Sequence, residues 1–250
     1  MAGCILVNRS ILMILIMRTL FLLTLATLTA CANTSTVKIP QDYDGVESEI
    51  AVAPVEIPGN MYLSPSGWGM LFGVAGVLVE EAATASKRAA LAQNIKEAWG
   101  DWRPEAVLGD KLAEELSKRG RDVIQEDEIV SLPENIRNKN AAARLWYNPD
   151  NTIFDHSTIM NHYSPTAIME AGYEEPAIIG HRVIFVILIK VVDPRTNNVI
   201  ARRRVVARMA TGRYKLKDPA QLQQYVADFK TNFEKAVTKA VPKILDDIGL

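Results

Sequence analysis

Cysteine, histidine and net charge are all scarce in this chain. Of its 250 residues only Cys4 and Cys31 carry a thiol, three are histidine and 7% are aromatic. Two cysteines, one of them four residues from the amino terminus, cannot build a disulfide framework. A cysteine metal site is excluded on the same count. Charge nearly cancels, with 28 basic against 29 acidic residues and a net of −1. A domain so balanced is not drawn as a whole to nucleic acid or to an anionic surface. No Gly-Lys-Ser/Thr follows the glycines at 67–76, so they form no phosphate loop. Ser64 and Ser66 flank a proline and lack the nucleophile-elbow pattern of a serine hydrolase.

Acid is missing altogether from Met1 to Ala30, where Arg9 and Arg18 are the only charges. Leu20 to Leu28 is a short apolar stretch, and small residues follow it. Basic, apolar and small regions in that order are the layout of a secretory signal. Arg18 interrupts the apolar run, and a charge inside a membrane core is costly. The uninterrupted run is therefore shorter than the roughly 17–25 residues of a spanning helix. Translation from Met13 or Met17 rather than Met1 would make Arg18 the basic region and Leu20–Leu28 the apolar one. Leu28-Thr29-Ala30-Cys31 closes the segment and resembles the lipobox of bacterial lipoproteins. That resemblance implies a diacylglyceryl group on the Cys31 thiol, cleavage before Cys31 and acylation of the new amino terminus. Cys4 would leave with the signal, and the chain would face the periplasm. Ala32 follows in place of an aspartate, a pattern that resembles lipoproteins sent on to the outer membrane in enteric-type bacteria and so implies the outer membrane over the inner.

The expected organisation is a signal at 1–30, a lipidated cysteine and tether at 31–48, and one α/β domain at 49–250. Without Arg9 and Arg18 the mature chain has 26 basic against 29 acidic residues, a net of −3. Membrane attachment must then come from the acyl chains, since two or more buried chains hold where one does not. The tether is small and polar from Ala32 to Thr36, and Pro40 follows.

Within the domain, Glu49–Val55 is apolar and β-branched and reads as a buried first strand. Trp68 to Val79 is apolar and rich in glycine. It reads either as a loop leading into a buried helix or as a helix-packing interface formed by Trp68, Gly69, Gly73 and Gly76. Such an interface would let a second copy of the chain associate. Glu80 to Trp99 reads as a helix, since Ala82, Ala85, Ala89, Ala92, Ile95 and Trp99 recur at helical spacing before Gly100. A second helix starts at Pro104 and ends at Lys118-Arg119-Gly120, where basic residues suit the dipole. Asp122–Glu126 reads as a strand, Leu132–Trp146 as a helix and Asn148–Asn151 as a turn. Ala167–Tyr173 is either a strand or the start of a helix at Ser164-Pro165. Val183–Val192 is apolar on both faces and so central in a sheet. The polar turn Asp193–Asn198 returns it to Val199–Ala207. Asp218 and Pro219 open a long helix whose stripe includes Tyr225, Phe229, Phe233, Val237, Val241 and Ile244. Pro242 is expected to kink or break it.

These elements specify an α/β (α+β) fold with a mixed, partly antiparallel sheet covered by helices and a long carboxy-terminal helix. Three pieces resemble the α/β domain of the curli-channel (CsgG-like) and TolB amino-terminal-type envelope proteins. They are Ile50-Ala51-Val52-Ala53-Pro54, the unit from Leu108-Gly109-Asp110 to Ile124, and the hairpin Val191–Ile200. The resemblance implies a non-catalytic interaction or assembly role in the envelope, with other envelope proteins as partners and no cofactor. No threonine- and aromatic-rich pair of segments could build a barrel, so pore formation is not implied. The alternative is a metal-dependent periplasmic enzyme using Asp155, His156 and His162. Their spacing fits no helical metal motif, and the surrounding Asn, Ser and Pro suggest a loop. Arg202-Arg203-Arg204 reads as a solvated strand edge or as a contact for anionic groups.

Overall fold

The computed structural model describes residues 36–56, 62–63, 86–87, 89–126, 130–131, 156–179 and 181–250. The lipobox and Cys31, the Trp68–Gly76 stretch, Asp155 and the segments expected at 132–151 lie outside the described residues. A seven-stranded sheet organises residues 36 to 250. Strands β3 (Asp122–Gln125), β1 (Glu49–Glu56), β5 (Ala167–Ile179), β6 (Arg182–Asp193) and β7 (Asn198–Ala210) lie in that order. Two short strands complete it, β2 (Tyr62–Leu63) on β5 and β4 (Val130–Ser131) on β1. Pairing around β1 is parallel, and β6 runs antiparallel to both β5 and β7. The mixed sheet is therefore as the sequence specifies.

Pro54 sits inside β1, where it cannot donate to a ladder. It is tolerated because β3 has already ended, at the register Val52–Gln125. Strand β5 is longer than the sequence suggested, and a register shift between Glu174 and Ala177 lets its second half pair with both β6 and β2.

Residues 89–99 form helix α1. Helix α2 spans Pro104–Lys118, α3 spans Ser157–His162 and α4 spans Pro219–Ile248. Gly120 ends the turn after α2 at φ +77°, a conformation that favours glycine. Gly109 has a different task. A Cβ there would lie 2.7 Å from Pro54 Cγ, so the absence of a side chain lets α2 close onto β1. Asp218 caps α4 by accepting from the Ala220 amide at 3.0 Å.

Pro242 does not break α4, which continues to Ile248. The carboxy-terminal turns are held from outside instead. Arg119, just past α2, donates to the Pro242 carbonyl at 3.1 Å and to Asp246 at 2.8 Å, and also to the Leu250 carbonyl.

One face of the sheet carries the main core. Ile50, Val52, Met169, Phe185, Ile187 and Ile189 meet Leu108, Leu112 and Leu116 of α2 and the apolar stripe of α4. Trp99 and Trp102 complete an aromatic cluster with Phe229 and Phe233. The other face has a smaller apolar patch of Ala51, Ala53, Ile159, Ile168 and Val192.

Candidate functional site

Side chains alternate across a strand. In β5 the second face therefore receives Ile168, Glu170 and Gly172, and in β6 it receives Val192, Lys190 and Leu188. Registers place Ala53 beside Glu170, Glu170 beside Lys190 and Lys190 beside Arg202. A charged row thus crosses the middle of the sheet. Both Glu170 and Lys190 are fully buried. His156 closes the row from α3, with Nε2 2.9 Å from Glu170 Oε1. Burial pushes the Lys190 ammonium down to about 8, against the opposing pull of Glu170 and with a smaller push from Arg202.

Buried charges cost several kcal/mol each unless they meet partners, so this row ties α3 to the sheet at one position. It could hold or pass a proton. Glu170 and Lys190 present no surface to a substrate, which a catalytic group must touch.

The histidines expected on a loop lie at a short helix instead. His156 precedes the first residue of α3 and is buried, whereas His162 is in its last turn and exposed. Six residues on a helix turn through about 240°, so the two rings point apart rather than toward one ion. No group of three possible metal ligands forms among the described residues.

Arg202, Arg203 and Arg204 are not a solvated edge. All three are half-buried. Arg203 lies on the opposite face from the charged row and pairs with Asp247 at 2.7 Å. The segment read as a free tether also differs from Thr36 onward, where it lies along the domain. Val37 and Arg202 exchange two backbone hydrogen bonds at 3.1 Å, and the Ile39 amide donates to the Ile248 carbonyl at 3.0 Å. Arg203 donates to the Thr36 hydroxyl. Tyr43 donates to the Thr166 carbonyl at 3.0 Å, and Val46 is buried. This strap adds Val37 to the end of the charged row.

Sequence reading missed Glu170 and Lys190. The available signal was a lone lysine inside an apolar run from Val183 to Val192 and a lone glutamate in Ala167–Tyr173. A charge in a strand that is apolar on both faces must be buried, and so needs a partner.

A groove of about 390 Å³ opens elsewhere, between α1 and the start of α4. Its walls include Lys87, Leu91, Asn94, Lys217 and Leu222.

No family model matches the chain, and no curated protein matches it. Solved structures similar to it include a hypothetical protein from Chlamydia trachomatis, at 10% identity, 80% of this chain, 99% of that one and a TM-score of 0.36. A PelC dodecamer from Paraburkholderia phytofirmans matches at 9% identity, 86% of this chain, 97% of that one and a TM-score of 0.33. A lipoprotein from Neisseria meningitidis matches at 12% identity, 75% of this chain, 99% of that one and a TM-score of 0.27. Lipoproteins are thus among the neighbours, but likenesses this loose carry no argument about this chain. No helix among the described residues is long and apolar enough to cross a membrane.

Proposed function

We propose that this chain is a lipid-anchored periplasmic protein, held by acyl chains on Cys31, whose domain is a non-catalytic interaction or assembly component of the envelope. The observation that carries the reading is Leu28-Thr29-Ala30-Cys31 at the end of an acid-free apolar leader. The docked strap is consistent with it. From Thr36 the chain already lies on the domain, so four residues, Ala32 to Ser35, stand between the acylated cysteine and Thr36. Extended, the chain from Cys31 to Thr36 reaches about 17 Å, which keeps the domain at the membrane surface. The outer membrane is the favoured site. Other envelope proteins are the expected partners, and a second copy is one candidate through Trp68, Gly69, Gly73 and Gly76.

Cys31→Ser tests the anchor. Serine lacks the thiol that accepts the diacylglyceryl group, so the variant should remain an unprocessed precursor that takes up no labelled palmitate. A variant of mature mass that still labels would remove the reading. Crosslinking in intact cells, followed by capture through the domain, would identify the partner.

A further inference from the structure

The end of the sheet where β6 begins and β7 stops gathers basic residues. Arg182 opens β6 opposite Ala210, and the Thr211 amide donates to the His181 carbonyl at 2.8 Å. Arg208 precedes this point on β7, and Arg213, Lys215 and Lys217 follow it. Lys87 approaches from across the groove that Lys217 also lines. All six side chains are exposed, and none makes an ion pair or side-chain hydrogen bond with a described residue. Two carboxylates lie nearby, each bonded to a neutral donor and each keeping its charge. Asp218 caps α4, and Asp228 accepts from the Tyr214 hydroxyl. Toward the opposite end of the domain Arg119 pairs with Asp246, Arg195 with Asp193 and Arg203 with Asp247. Six exposed basic side chains thus gather at one end of a chain whose overall charge is slightly negative.

The strap points to what meets that end. It pairs antiparallel with β7 at Val37–Arg202, and Thr36 is met by Arg203. Each step toward the amino terminus along the strap is therefore a step toward Ala210 along β7. At Thr36 and Val37, the described residues nearest Cys31 in sequence, the chain followed toward its amino terminus runs in the direction of the basic end.

We propose that this end rests on the bilayer that holds the acyl chains, with Arg182, Arg208, Arg213, Lys215, Lys217 and Lys87 meeting anionic phospholipid headgroups. The proposal rests on the lipid-anchor reading. Anchoring fixes the distance to the surface, and the charges fix which end faces it. Opposite charges within a Debye length, about 10 Å at 0.1 M salt, attract strongly enough to bias orientation, and added salt weakens the bias.

The experiment uses the acylated mature protein in vesicles. Cys4 is lost with the signal and Cys31 is blocked by lipid, so an introduced cysteine is the only free thiol. Ala210→Cys and, far along α4, Lys239→Cys each receive a polarity-sensitive fluorophore. On vesicles that are one-third phosphatidylglycerol, the label at 210 should be severalfold less open to an aqueous quencher than the label at 239. The difference should vanish in high salt and in Arg213→Glu/Lys217→Glu. Equal quenching at both positions on these vesicles overturns the proposal, and leaves an acidic protein or a cell-wall carboxylate as the partner. Equal protection of 210 on pure phosphatidylcholine overturns it too, since charge would then be irrelevant. If the parent protein stays in solution and Cys31 titrates as a free thiol, the anchor reading itself has failed and the proposal falls with it.

Discussion

The two faces of the sheet use burial in opposite ways. Toward α2 and α4 the buried side chains are aliphatic and aromatic, and position is set by shape. Phe233 alone meets Trp102, Tyr173, Phe185 and Phe229 at ring-centroid distances of 4.7 to 6.2 Å. Toward α3 the sheet buries Glu170 and Lys190, and position is set by charge. Apolar packing is strong and tolerant of small shifts. A buried ion pair adds little net stability, but it makes any other arrangement expensive. The first face therefore holds the domain together, and the second specifies one place for α3.

Substitutions should separate the two. Phe233→Ala on the apolar face should cost about 3–5 kcal/mol, and Phe229→Ala a similar amount. Chemical denaturation measures this directly, and a melting curve unchanged from the parent would show that α4 packs elsewhere. On the charged face, Lys190→Met alone leaves the Glu170 carboxylate buried against His156 and should cost about 3 kcal/mol. Adding Glu170→Gln should return most of that loss, so that the double variant lies within about 1 kcal/mol of the parent. A double variant as weak as the single one would mean that the two charges are not coupled.

The smallest effect is the most specific. Lys190 is held down near 8, below the ordinary lysine value of 10.5. The unfolded chain therefore binds the proton more tightly, and burying the ammonium costs stability in full below about pH 8. As pH rises from 8 toward 10.5 that cost is relieved. The stability of the parent relative to Lys190→Met should then increase by at most about 1.4 kcal/mol per pH unit. A flat difference across that window would place Lys190 in contact with water.

The apolar face was the legible one. Its residues repeat at helical spacing in α4 and alternate or run continuously in the strands, and these patterns survive without knowledge of neighbours. Pro104, Gly120, Asp218 and Pro219 mark helix ends by local chemistry, so those boundaries also follow from sequence. The charged row was not legible because it is a matter of register. Glu170 and Lys190 stand opposite each other only once the β5–β6 pairing is fixed, and Arg202 joins only through the β6–β7 pairing. Pro242 misled for a related reason. Its local effect is to remove a helix hydrogen bond, but Arg119 secures that turn from another element. The tether was read from composition, which cannot show that Val37 finds a strand edge more than a hundred residues away.

Sheet order also sets a schedule for folding. Strand β1 lies between β3 and β5, so it cannot be fully paired on both sides until the chain has emerged through Ala171. The strap waits longer, because its partners are Arg202 and the carbonyl of Ile248. A chain exported from its amino terminus would thus have its first mature residues outside long before they had anywhere to dock. The Ile248 and Leu250 carbonyls then complete the docking, one taking the Ile39 amide and the other Arg119 at the end of α4.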